Sequence, residues 1–249
     1  MNETLTSGPA DRLEERGGGD RSKAPLELPV WAWLSLWLVV WVGASVGAHY
    51  AMHGVVNGWQ VALAFFLAIN ILICVWEISL YYRIGDIERW HREPRATSGR
   101  PSGTVYLARV SLRDLASTHL WARIWSEYAL YDPSYADRRS FGFAGDVGNG
   151  FVTLVPSLVL FFGITFPVLP PVVLGLIGAF VFYQKLYCTC LYFFTFLFNR
   201  RYEGKRLGPL LGIVGGTNGI WIVFPAIGLY VCLRLILENR FDLLWGVPG

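Results

Sequence analysis

Apolar residues run through this chain in five blocks, each long enough to cross a bilayer, which takes about 20 helical residues. The blocks are Leu28–His49, Trp59–Tyr82, Val147–Leu169, Pro171–Phe198 and Leu207–Leu233. They predict five transmembrane helices. The third and fourth meet at Pro167, Pro170 and Pro171, which predict a tight hairpin turn. Between the second and third lies a polar segment, Arg83–Asp146. Its stretch Arg95–Gly103 is rich in Arg, Ser, Gly and Pro and reads as an exposed loop. Its stretch Ser111–Leu130 places Leu115, Leu120, Ile124 and Tyr128 at near-helical spacing. Ser111 there is a candidate N-cap, with Asp114 three residues on. That stretch reads as a helix lying at the membrane interface. The expectation is an all-α integral membrane protein, a five-helix bundle with one additional interfacial helix. The bundle covers residues 28–240, and a polar tail, 1–27, with Gly17, Gly18 and Gly19 at its centre, is expected to be disordered.

Composition strengthens this picture. Hydrophobic residues make up 54% of the 249 and charged residues only 16%, against roughly 25% charged in soluble domains. A net charge of +3 argues for no nucleic-acid partner. Cys74, Cys188, Cys190 and Cys232 all lie in apolar runs and form no CxxC, so they read as small buried hydrophobes. The tail lacks the short basic-then-apolar pattern of a signal peptide. Eighteen of the 21 Lys and Arg fall in the tail, the second-to-third connection and the fourth-to-fifth connection. The other two connections have none. This bias predicts a cytoplasmic N-terminus and an external C-terminus, in a bacterial inner membrane or the endoplasmic reticulum.

An ionisable side chain at membrane depth costs roughly 2.5–3.5 kcal/mol on insertion scales, so each one calls for a reason. Glu77 stands five residues before the end of the second block, roughly 7.5 Å deep at 1.5 Å per residue. Asn70 precedes it by two turns on the same face. Both suit a functional group or a structural bond between helices. Glu127 and Tyr128 lie in Trp125-Ser126-Glu127-Tyr128-Ala129, followed by Asp132 and Tyr135; an interfacial aromatic belt is the plainer reading. Asp146 and Asn149 read as the capped start of the third span. Thr217, Asn218 and Trp221 lie in the fifth, Asn218 and Trp221 on one face, with Gly215, Gly216 and Gly219 alongside for close helix packing. The fourth carries Gln184, Lys185 and Tyr187; Lys185 is expected to pair with an acid or reach a pocket. Trp33, Trp37 and Trp41 read as a lipid-facing stripe. His49 and His53 have metal-compatible spacing but no third ligand nearby, so no metal is expected. Walker, dinucleotide and nucleophile-elbow motifs are absent from the sequence.

Two carboxyl groups, an amide and an indole near an apolar cavity suit proton chemistry on an alkene. A carboxyl group in hydrocarbon holds its proton, because desolvation disfavours the anion, and can act as an acid. Protonating a double bond makes a carbocation, which an indole face stabilises. A second carboxylate removes a neighbouring proton. This chemistry requires no cofactor.

Glu77 with Tyr81-Tyr82, the block Trp125–Ala129 with Asp132 and Tyr135, and Asn218-Gly219-Ile220-Trp221 with Pro225 together resemble the emopamil-binding protein family (the EXPERA domain). The resemblance spans about residues 57–240. It implies a five-helix bundle around a sterol-sized pocket and a double-bond isomerase of sterols or terpenoids. It implies Glu77 and Glu127 as the acids that add and remove protons, with Asp132 supporting. It places Asn218 and Trp221 in the pocket; Asn70, Thr217, Tyr128, Gln184 and Tyr187 complete the expected substrate-binding set. The family's sterol isomerases carry a His one turn before the first acid, where this chain has Ile73. A membrane terpene cyclase starting with the same protonation, and a non-catalytic lipid binder of the sigma-2 type, remain open. The expected partners are a sterol or terpenoid lipid, the membrane itself and a second copy of the chain in a homodimer.

Overall fold

The computed structural model describes residues 25–92 and 104–246. The Arg95–Gly103 loop and tail residues 1–24 lie outside them. Five helices are long and apolar enough to span a membrane, and the chain is an integral membrane helical bundle. They are α1 (Val30–His53), α2 (Gly58–Arg92), α6 (Phe141–Gly163), α7 (Pro171–Phe198) and α9 (Thr217–Glu238).

α7 starts and stops where the sequence places it, because Pro171 occupies its first turn, where a missing N–H costs nothing. α2 runs ten residues beyond its expected end. Its apolar run stops at Tyr82, but i,i+3 and i,i+4 pairs carry the helix on: Arg83 and Arg89 to Asp86, and Arg92 to Glu88. Ile87 on that extension is fully buried. At about 52 Å, α2 is longer than the hydrocarbon core and projects from the basic end of the bundle. There Arg138 grips Glu88 through two bonds of 2.9 and 2.7 Å.

Five short elements gather at this end of the bundle. β1 (Glu27–Pro29) pairs antiparallel with β2 (Arg109–Ser111), Leu28 opposite Val110. Glu27, placed in the tail by the sequence, therefore belongs to the fold. Three-residue strands give no readable alternation, and only their pairing across the fold reveals them. α3 (Thr104–Leu107) precedes β2, and α4 (Leu112–Leu115) and α5 (Thr118–Tyr128) follow it. The expected single helix over Ser111–Leu130 is thus two, because Ser117 leaves the helix and caps α5 through the His119 amide. Ser111 does cap α4: its Oγ accepts from the Asp114 amide, and Asp114 Oδ2 accepts from the Ser111 amide at 2.9 Å. Ser111→Ala is expected to cost about 1 kcal/mol, read as a lower melting temperature in detergent.

α5 packs against α2, burying Leu120, Trp121, Ile124 and Trp125. Trp125 Nε1 donates to the Trp76 carbonyl at 2.8 Å, and Trp121 stacks on Trp76. The Trp33, Trp37 and Trp41 stripe also faces protein, not lipid. Trp33 donates to the Val110 carbonyl and Trp37 to the Ala68 carbonyl, both at 3.0 Å, and Trp41 meets Phe161 edge-on. An indole N–H finds no acceptor in hydrocarbon, so these bonds dock α1 onto β2 and α2.

Close helix approach falls elsewhere than expected. Gly215 and Gly219 have open space where a Cβ would point. The tight glycines are Gly175, Gly178 and Gly228 between α7 and α9, and Gly150 between α6 and α2. Leu211–Gly216, after the short α8 (Leu207–Leu210), instead forms a π turn that leads into α9. At the opposite end, Gln60 Nε2 bonds Ser45 at 2.9 Å and Thr165 at 3.2 Å, tying three segments. α10 (Asp242–Trp245) covers that end, with Trp245 stacked on His53.

Candidate active site

A cavity of about 180 Å3 lies in the basic half of the bundle. α2 contributes Ile73, Trp76 and Glu77; α5 contributes Ile124, Trp125 and Tyr128; α6 contributes Asp146 and Asn149. Lys185, Thr189 and Tyr192 line it from α7, and Thr217, Asn218 and Trp221 from α9. Eight of the twenty lining residues are aromatic, and the charged groups gather on one side.

That side is one connected network. Asn149 Nδ2 donates to both oxygens of Glu77, at 2.9 and 2.7 Å. Lys185 Nζ donates to Asn149 Oδ1 at 2.9 Å and to Thr153 Oγ1 at 3.2 Å. Asn149 therefore bridges the lysine nitrogen and the Glu77 carboxyl group. Asp146, one helical turn before Asn149, completes the set and lines the cavity beside Tyr135. Lys185 lies within electrostatic reach of both acids. Glu77 and Lys185 are 3% and 1% exposed, so their charges are compensated inside the protein or not at all.

Asp146 and Asn149 do not open the third span. α6 begins at Phe141 behind the Ser140 cap, whose Oγ accepts from the Phe143 amide at 3.1 Å. The added turns carry Asp146 and Asn149 inside the helix and onto its cavity face. Gly145, Gly148 and Gly150 around them obscured this, because glycine-rich runs at an apolar boundary read as helix starts.

Glu127 is the main correction. It lines no part of the cavity. Its Oε1 accepts from the Val105 amide at 3.1 Å, at the open N-terminal turn of α3. Asp132 is fully buried but also off the cavity, capping the turn Pro133–Ala136 through the Ser134 amide and meeting Arg201 at 3.5 Å. It holds the backbone that presents Tyr135. Asn70 bonds Ser157 at 2.8 Å, a link between α2 and α6. Tyr187 is exposed and stacks on Tyr183 outside the bundle. Gln184 likewise contributes nothing to the wall. Gln184 lies about 100° and Tyr187 about 200° around the helix from Lys185, so only Lys185 of that trio faces inward.

The α9 residues are where the sequence puts them. Asn218 Nδ2 donates to the Tyr128 hydroxyl at 2.9 Å and to the Val214 carbonyl at 2.7 Å. Trp221 closes the wall beyond it, and Thr217 marks the rim. Tyr128 and Tyr135 meet edge-to-face at 5.0 Å, and Trp125 stacks on Tyr135. Burial raises the Tyr135 and Tyr128 hydroxyls above the ordinary phenol range. Burial, then Glu127, pushes Tyr106 up to about 12. These phenols stay protonated and act as hydrogen-bond donors at neutral pH.

The chain matches no protein-family profile and no curated protein. Cys188 is a further wall residue that hydrophobic reading did not single out. Among the described residues, no group of three His, Cys, Asp or Glu side chains is gathered to hold a metal ion.

Proposed function

We propose that this chain is a membrane-embedded isomerase that moves a carbon–carbon double bond in a sterol or terpenoid lipid. The observation that carries the reading is the pair of carboxyl groups, Glu77 and Asp146, on the charged side of an otherwise aromatic cavity. One ammonium beside two carboxyl groups balances charge when one carboxyl is ionised and the other protonated. That is the acid and base the reaction needs together.

Glu77 is assigned as the donor. Its proton adds to one alkene carbon and leaves a cation on the other. The indoles of Trp221 and Trp76 face that charge, and a cation over an indole gains about 2 kcal/mol or more when desolvated. Asp146 then takes a proton from the adjacent carbon, and the double bond re-forms one position along. Lys185 and Asn149 fix the Glu77 carboxyl, while Asp146 stands beside Tyr135. The likeness to the emopamil-binding proteins supports this reading through Glu77, Asn218 and Trp221, with Asp146 taking the second-acid role that the likeness gave Glu127. Ile73 is at the wall one turn before Glu77, and the proposed route uses no histidine there. The basic end of the bundle is assigned to the cytoplasm, and the membrane to a bacterial inner membrane or the endoplasmic reticulum.

The test is to incubate membranes holding the chain with an 8-unsaturated sterol in heavy water. Gas chromatography with mass detection is expected to give a 7-unsaturated product carrying deuterium. Unchanged sterol without deuterium would overturn the sterol substrate. A ring closed during turnover of a linear terpenoid, read by NMR, would replace isomerase with cyclase.

A further inference from the structure

We propose that the cavity also takes lipid aldehydes or ketones and holds them covalently, as an imine on Lys185. Three observations lead there. Lys185 is buried to 1% exposure and lines the cavity. Among the described residues its Nζ makes two hydrogen bonds, to Asn149 and Thr153, where an ammonium offers three donors. The remaining direction is open to a carbonyl carbon, and the protonated imine that forms keeps one N–H for the network. Two carboxyl groups also stand by, and a lysine with a carboxylate counter-ion in an apolar membrane pocket is the arrangement that carbonyl capture uses.

The step balances within the site. Lys185 yields a proton to a neighbouring carboxylate, and its nitrogen lone pair forms a bond to the carbonyl carbon. The carbonyl π pair moves to oxygen, which takes a proton from the carboxyl side. Loss of that oxygen as water, with the second nitrogen proton, leaves a carbon–nitrogen double bond. One carbonyl lipid and one amine give one imine and one water; nothing is oxidised or reduced. The aromatic wall of Trp76, Trp125 and Trp221 takes the apolar body.

This inference rests on the cavity and not on the isomerase reading. The chain has three lysines, Lys23, Lys185 and Lys205, so the modified amine is simple to map. The purified full chain in detergent is treated with decanal and cyanoborohydride, which fixes an imine as a stable secondary amine. Peptide mapping is expected to place the decyl group on Lys185 in preference to Lys23 and Lys205. The expected bias is on the order of tenfold, the ratio that about 1.4 kcal/mol of apolar binding gives. Propanal, with little apolar body, is expected to lose the bias. Decyl groups on Lys23 and Lys205 with Lys185 untouched would overturn the proposal, with no variant needed. Isomerisation in heavy water without a Lys185 adduct sinks only this proposal. An adduct without isomerisation sinks only the isomerase reading.

Discussion

Glu77→Gln is expected to reduce turnover by about 10²–10⁴-fold, the span a positioned general acid contributes. The amide keeps the volume of the carboxyl group and retains an oxygen to accept from Asn149 Nδ2, which donates to Glu77 at 2.7 and 2.9 Å. It has no acidic proton to give. The variant should therefore remain folded, with lipid still bound and the heavy-water assay silent. Asp146→Asn is expected to fall by a comparable factor, because the base is removed while the side-chain volume is kept. Glu127→Gln separates this site from the one the family likeness implies. Glu127 accepts from the Val105 amide rather than facing the cavity, and the amide oxygen of Gln accepts as well. Turnover by Glu127→Gln should stay near that of the parent. A collapse of turnover in Glu127→Gln, with Asp146→Asn unaffected, would return the second-acid role to Glu127.

The contrast between these carboxylates marks how far the sequence could be read. Five apolar blocks announce five helices, since every backbone polar group must be satisfied within a segment that crosses hydrocarbon. Glu77 was legible for the same reason: a lone acid amid Ile, Cys, Val and Trp needs a purpose. Asn218 and Trp221 share a face within one helix, so their joint presence at the cavity follows from periodicity. Glu127 and Asp146 depend instead on where other elements lie. Glu127 is drawn to α3, a four-residue helix too short to show a pattern. Asp146 is inside α6 only because Ser140 starts that helix early. Tyr187, Gln184 and Lys185 are three neighbours in one apolar run, and only the packing of α7 against α6 decides which points inward.

The largest structural effect is expected from Gly150→Ala, and it should reach the chemistry through packing alone. A Cβ at Gly150 would lie 2.8 Å from Glu77 Cβ, 2.9 Å from the Cys74 carbonyl oxygen and 3.2 Å from the Ile78 amide nitrogen. Two of those three atoms belong to the α2 backbone, which cannot swing aside as a side chain can. α6 must therefore move off α2 at the residue beside Asn149, lengthening the bonds from Asn149 to Glu77. Overpacking of this kind costs about 1–3 kcal/mol, against which alanine returns about 1 kcal/mol of helix propensity. The variant should melt lower in detergent and lose turnover even though no reacting group has changed. Gly148→Ala is the matched control, because nothing lies within 4 Å of the Cβ position at Gly148. It gains the same helix propensity without the clash, and should melt no lower than the parent and turn over normally. Equal melting temperatures and equal activities for the two variants would mean that α6 does not meet α2 at Glu77. The carboxyl–amide–ammonium network would then lose the contact that assembles it.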